Sequence, residues 1–169
     1  MQKVAMFEKV SLLQFKKDVE NIFGTKYNND QMEEMYRRIL LPTRSTSGSA
    51  GYDFKLPFDI SLNKGEWSLI PTGIRCRMFN EWVLMLYPRS GLGFKYGFEL
   101  KNTVGVIDSD YYDSDNEGHI MAKISQNEED ILYLQSGQGF MQGIFTEYGI
   151  TRNDNAIAKR NGGFGSTGR

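Results

Sequence analysis

Apolar residues recur at helical spacing near the start of the chain and at strand spacing afterwards. Leu12, Phe15, Val19, Ile22 and Phe23 fall on one helical face, and Met32, Met35, Tyr36, Ile39 and Leu40 repeat the pattern. The spacing predicts two short helices, with Asn28-Asn29 breaking the chain between them and Asp30 with Glu33 capping the second. Pro42 ends helical character by about Leu40, because the residue before a proline is driven out of the α region. Beyond it the period becomes two. Ile74, Cys76 and Met78 interleave with Arg75 and Arg77, and Ile120, Ala122 and Ile124 surround Met121 and Lys123, as half-buried strands require. Turn-forming clusters punctuate this stretch at Asn63-Lys64-Gly65, Asn80-Glu81, Gly91-Leu92-Gly93 and Ser136-Gly137, while Trp82 to Tyr87 reads as a strand buried on both faces. The pattern predicts a mostly β fold, a β-barrel or jelly roll, with a helical extension over 1–38, a barrel over 39–150 and a C-terminal arm over 151–169.

At 169 residues and 40% hydrophobic content the chain is expected to build one core. Lys and Arg number 20 against 21 Asp and Glu, and a net charge of -1 argues against binding polymeric nucleic acid. The charge is unevenly placed. Arg152, Lys159, Arg160 and Arg169 face only Asp154 near the C-terminus, whereas Asp108, Asp110, Asp113, Asp115 and Glu117 lie together without a basic residue. One stretch suits phosphate and the other a cation, a combination that a metal-bound polyphosphate satisfies. Cys76 is the only cysteine, which excludes an intramolecular disulfide and fits a reducing compartment. A single histidine, His119, excludes a histidine-based metal cluster. With no secretory leader pattern and no apolar run long enough to span a bilayer, the expectation is a soluble, cytoplasmic protein with no membrane partner.

Four segments are richer in glycine and polar groups than the turns of an all-β fold require. They are Ser47 to Asp53, Pro88-Arg89-Ser90-Gly91, Gly105 to Tyr111, and the tail Gly162-Gly163-Phe164-Gly165-Ser166-Thr167-Gly168 behind Lys159-Arg160. Glycines let backbone N–H groups approach an anion, and Ser, Thr and Arg add donors suited to phosphate oxygens. By itself, such a tail is equally well read as a disordered terminus. Glycine and acidic spacing over Asp113, Asp115, Glu117 and Gly118 also imitates the start of a calcium loop, but its twelfth position is Ile124 rather than a bidentate Glu, and its flanks read as strand.

In order and spacing, the four segments resemble the motifs of the trimeric dUTP diphosphatases from about Ile39 to Arg169. The resemblance implies a distorted jelly-roll barrel of the dUTPase type and hydrolysis of dUTP to dUMP and pyrophosphate with Mg²⁺, which keeps uracil out of DNA and supplies dUMP for dTMP synthesis. It makes Asp108 the carboxylate that orients and deprotonates the attacking water, and Arg89, Ser90 and Gly91 the phosphate cradle. Asn102 meets the uracil edge, main-chain groups of the hairpin from Gly105 to Ile107 read the rest of the base, and Tyr111 packs under the deoxyribose. Gln142 reaches a phosphate, Arg160 the γ-phosphate, Phe164 stacks on the base, and Gly165, Ser166 and Thr167 close over the terminal phosphates. No direct protein ligand to Mg²⁺ is implied, Asp53 standing in an outer shell. The resemblance also implies a homotrimer in which cradle, Asp108 hairpin and closing tail come from three different chains.

Two features depart from that pattern: Tyr112 to Glu117 intervene before Gly118, and Gly139 stands where the family carries an Arg in Gly-Asp/Glu-Arg-Ile-Ala-Gln. The alternatives are a dCTP deaminase-like enzyme, which shares fold and trimer, and a non-catalytic regulatory relative.

Overall fold

The computed structural model describes residues 2–158 and residue 160; Lys159 and the tail residues Phe164, Gly165, Ser166 and Thr167 lie outside the described residues. In chain order the elements are β1 (Ala5–Lys9), α1 (Leu12–Phe23), α2 (Asn29–Arg38), β2 (Thr43–Arg44), β3 (Tyr52–Lys55), β4 (Ile60–Leu62), β5 (Trp67–Pro71), β6 (Ile74–Met78), β7 (Trp82–Pro88), α3 (Ser90–Tyr96), β8 (Glu99–Leu100), β9 (Gly105–Ile107), β10 (Met121–Ser125), β11 (Leu132–Leu134) and β12 (Gly139–Glu147). The strands pair antiparallel in four ladders, β2-β3-β12-β7-β9, β5-β10-β8, β1-β6 and β4-β11, giving a mostly β, jelly-roll-like fold. Their inward residues, among them Phe54, Ile70, Leu84, Ile120, Ile124, Leu132 and Phe140, form one buried core.

Both helices pack on that core through the apolar faces legible in the sequence, with Phe15, Val19 and Met32 buried. The cap of α2 differs from the expected Asp30 and Glu33. Asn28 sits in extended backbone and accepts from the Gln31 N–H, while the Gln31 side chain accepts from the Asn28 N–H, a reciprocal capping box two residues earlier. Asp30 then occupies the first turn, and Glu33 reaches Lys16 of α1 at 2.8 Å.

Two elements were not anticipated. β1 pairs with β6 over its whole length, and Phe7 packs within 5.4–5.7 Å of the Tyr52, Phe54 and Phe145 rings, so the first residues are sewn into the sheet. Gly91-Leu92-Gly93 lies inside helix α3 rather than a turn. Leu92 and Tyr96, one helical turn apart, pack against the core, and Gly97 ends the helix in left-handed backbone. β7 is a central strand, but its second face is not fully buried: Met85 and Tyr87 stay half exposed. No helix among the described residues is long and apolar enough to cross a membrane.

Candidate functional site

β7 places the motif residues at its two ends. At its C-terminal end β12 lies between β3 and β7, so Gln142 pairs with Asp53 on one side and Tyr87 on the other. Arg89 follows directly, its Nε 3.3 Å from Asp53 Oδ1, and Asp53 also accepts from the Ser45 hydroxyl at 2.8 Å. These residues, with Ser90 and Gln142, line a cleft of about 380 Å³, and a cavity of about 450 Å³ on the other side of Arg89 and Ser90 adds Gly91 and Gly139. The first main-chain bonds of α3 are donated by Leu92 and Gly93 to the Arg89 carbonyl, so helix geometry leaves the N–H groups of Ser90 and Gly91 over.

Gly139 has a packing role there. A Cβ at 139 would lie 2.7 Å from Arg89 Nη1, and that nitrogen donates to the Gly139 carbonyl at 3.3 Å. The guanidinium of Arg89 therefore occupies the space that a side chain at 139 would fill.

At the other end, Leu84 pairs with Ile107 and Leu86 with Gly105, which puts Asp108 beside Val83. Asp108 leaves β9 in extended backbone and opens a short 3₁₀ turn, Ser109–Asp113, with its side chain half exposed. Asn102 and Thr103 form the exposed turn before Gly105; Gly105 and Ile107 are buried and Val106 is exposed. From Val83 to Arg89 the extended chain covers roughly 20 Å, at about 3.3 Å per residue. Within one chain, Asp108 and the cradle therefore do not meet.

Tyr111 is buried, its hydroxyl donating to the His119 carbonyl at 2.8 Å and accepting from Asn116 Nδ2 at 2.8 Å; burial raises its pKa. Arg160 lies on this end of the chain. Its guanidinium pairs with Asp108, sits 2.9 Å from Asp110 Oδ1 and is centred 5.9 Å from the Tyr111 ring. The sequence singled out Arg160 and Asp108 separately and gave no sign that they pair. It also missed Asp110 as a partner and Ser45 as a support for Asp53.

Two further pairings were overlooked. Asp18 and His119 form a buried pair at 2.6 Å, and Glu117 accepts from both the N–H and the hydroxyl of Ser11 at 2.7 and 2.6 Å. Asp18 carried a visible signal: it lies among Phe15, Val19 and Ile22 on the apolar side of α1, where a carboxylate needs a partner. Burial alone would raise the Glu117 pKa, but the two Ser11 bonds, with the Arg75 cation nearby, leave it lowered overall. Burial pushes the Cys76 thiol up to about 12, which leaves it an inert core residue.

Among the described residues no group of three or more His, Cys, Asp or Glu is placed to hold a metal ion. The Asp53 carboxylate is engaged by Arg89 and Ser45. Because Mg²⁺ keeps much of its water and needs few protein ligands, a carboxylate already engaged in this way would meet it through water.

The sequence profile of the dUTPase family matches residues 37–168. A deoxyuridine 5'-triphosphate nucleotidohydrolase of Lactococcus lactis is 40% identical over 147 residues, covering 85% of this chain and 93% of that protein. Among solved structures, a dUTPase from Streptococcus mutans superposes with a TM-score of 0.64 at 31% identity, covering 87% of this chain and 98% of the other. The dUTPase from phage phi11 of S. aureus has the same fold, with a TM-score of 0.63 at 15% identity, covering 92% and 97%.

Proposed function

The chain belongs to the dUTPase family, and on that premise we propose that it hydrolyses dUTP to dUMP and pyrophosphate in sites completed by three copies of itself. The observation that carries this reading is the placement of Asp108, a half-exposed carboxylate at the end of a strand, paired with Arg160, whose guanidinium lies over the Tyr111 ring.

Asp108 holds the attacking water and takes its proton as the oxygen bonds to the α-phosphorus and the bond to pyrophosphate breaks, general-base help typically worth about 10² to 10⁴ in rate. Mg²⁺, when bound to the phosphates, offsets their charge and favours departure of pyrophosphate. The hydroxyl and N–H of Ser90, the N–H of Gly91, Arg89 and Gln142 hold phosphate oxygens, each charge-assisted bond contributing about 1.5 to 3 kcal/mol. The Asn102 amide and the main chain from Gly105 to Ile107 read uracil. The sugar lies on the face of Tyr111 now covered by Arg160 of the same chain; in the trimer that arm passes to another site, where the planar fork of Arg160 meets the γ-phosphate. Phe164, Gly165, Ser166 and Thr167 close the site.

Two features support a trimer. Asp108 and Ser90 stand at opposite ends of β7, so one chain cannot bring both to one nucleotide. Val106, Met85 and Ile144 also form a row across β9, β7 and β12, an apolar strip with Val106 55% exposed that a neighbour would cover. The division into an extension over 1–38, a barrel over 39–150 and an arm over 151–169 belongs to the same reading, as does a cytoplasmic location.

The direct test is release of pyrophosphate from dUTP, dCTP, dTTP and UTP in parallel, with and without Mg²⁺. Release from dUTP alone, dependent on Mg²⁺, is expected. Ammonia from dCTP would point to a deaminase instead, and no turnover of any nucleotide to a regulatory relative.

A further inference from the structure

The segment ahead of the family match is built onto the loop that carries Tyr111. Glu8 of β1 accepts from the Tyr112 hydroxyl, Ser11 at the start of α1 donates twice to Glu117, and Asp18 within α1 meets His119. Three successive points of the N-terminal extension thus grip three points of the loop, all outside the 37–168 match on the extension's side.

The innermost grip is the most specific. The His119 ring is wholly buried, and its Nε2 accepts from the Gly73 N–H at 2.8 Å. The other nitrogen, Nδ1, therefore carries the proton and donates to Asp18, whose carboxylate also accepts from Gln14 Nε2 at 2.8 Å. A ring held at both nitrogens fixes the main chain of its own residue, and the His119 carbonyl is the acceptor of the Tyr111 hydroxyl. The run is continuous from the helix through the imidazole to the phenol.

The backbone between these anchors is constrained as well. Glu117 adopts φ 58°, left-handed backbone that strains a non-glycine residue and persists because its surroundings determine it. Gly118 follows at φ 67°, where a Cβ would lie 2.7 Å from the Tyr111 carbonyl oxygen. The loop folds back tightly on Tyr111, and the Ser11 bonds hold the strained residue in place.

We propose that Asp18, acting through the buried His119 ring, is a positioning residue for Tyr111 and thereby sets the preference for a 2′-deoxyribose over a ribose nucleotide. The inference rests on the reading that Tyr111 packs under the sugar. A ring displaced by a few tenths of an ångström no longer excludes the 2′-hydroxyl, whereas the Asp108 carboxylate, anchored by β9, keeps its chemistry.

The test compares kcat/KM for dUTP and UTP in the full-length chain. Asp18→Ala is expected to lower the dUTP to UTP ratio by about tenfold, mainly through a higher kcat/KM for UTP as the 2′-hydroxyl gains room. Asp18→Asn, which still offers an oxygen to Nδ1–H, restores most of the ratio. Leu132→Ala, a core truncation in β11 opposite Leu62 of β4, lowers Tm and is expected to leave the ratio alone, separating position from stability. If Asp18→Ala does not fold, Glu117→Ala breaks the outer grip at a half-exposed site and is expected to lower the ratio in the same direction. An unchanged ratio in whichever variant folds overturns the inference, as does an equal loss on both nucleotides. A wild-type chain that hydrolyses UTP as readily as dUTP defeats the reading of Tyr111 itself.

Discussion

Asp108 and Arg160 are each recognisable in the sequence, but their pairing spans 52 residues and exists only in the fold. The same holds for Gly139. Its departure from the family pattern reads in sequence as a lost cation, yet the space it leaves is filled by the Arg89 guanidinium from 50 residues away. No local pattern encodes that exchange. Gly139→Ala should therefore act on the cradle: the new methyl displaces the end of Arg89, raising the KM for dUTP by about tenfold to a hundredfold, the loss of one charge-assisted bond, with Tm nearly unchanged. Steady-state kinetics beside a thermal melt checks this, and a large fall in Tm with KM unaltered would place Gly139 in the core instead.

The long elements were legible because their periods are long. Five apolar positions on one face define α1, and the alternation from Ile74 to Met78 defines β6. The five-residue β1, mostly half-buried, has no alternation to show, and α3 is disguised by two glycines that read as turn residues. The loop from Tyr112 to Gly118 was visible only as an acidic insertion, because the partners that give Glu117 its purpose lie about a hundred residues earlier. That clamp carries a pH signature. The folded pKa of Glu117 lies below its unfolded value, so the stability it contributes is present above the ordinary glutamate pKa and is lost as pH falls through the folded value. The Tm difference between wild type and Glu117→Gln should hold steady above about pH 5 and close as the pH drops below about 4.3. A difference independent of pH down to acid unfolding would show that the charge of Glu117 contributes nothing.

At the scale of the whole molecule, the proposed site draws on motifs that one copy holds roughly 20 Å apart along β7. β7 is a rigid spacer with the cradle at one end and Asp108 at the other, and the apolar row through Val106 extends across the ladder between them. Oligomeric closure was inherited from the resemblance; the register of three strands supplies a physical reason for it. The measurement that tests this most directly mixes two variants, Asp108→Asn and Ser90→Ala. Each alone should form trimers that bind nucleotide and release pyrophosphate at least a hundredfold more slowly than wild type. Unfolded together and reassembled in equal amounts, they should recover about a quarter of wild-type activity, because random assembly joins an intact cradle to an intact neighbouring Asp108 in that share of sites. A mixture as inactive as its parents would contradict the account and return every site to a single chain.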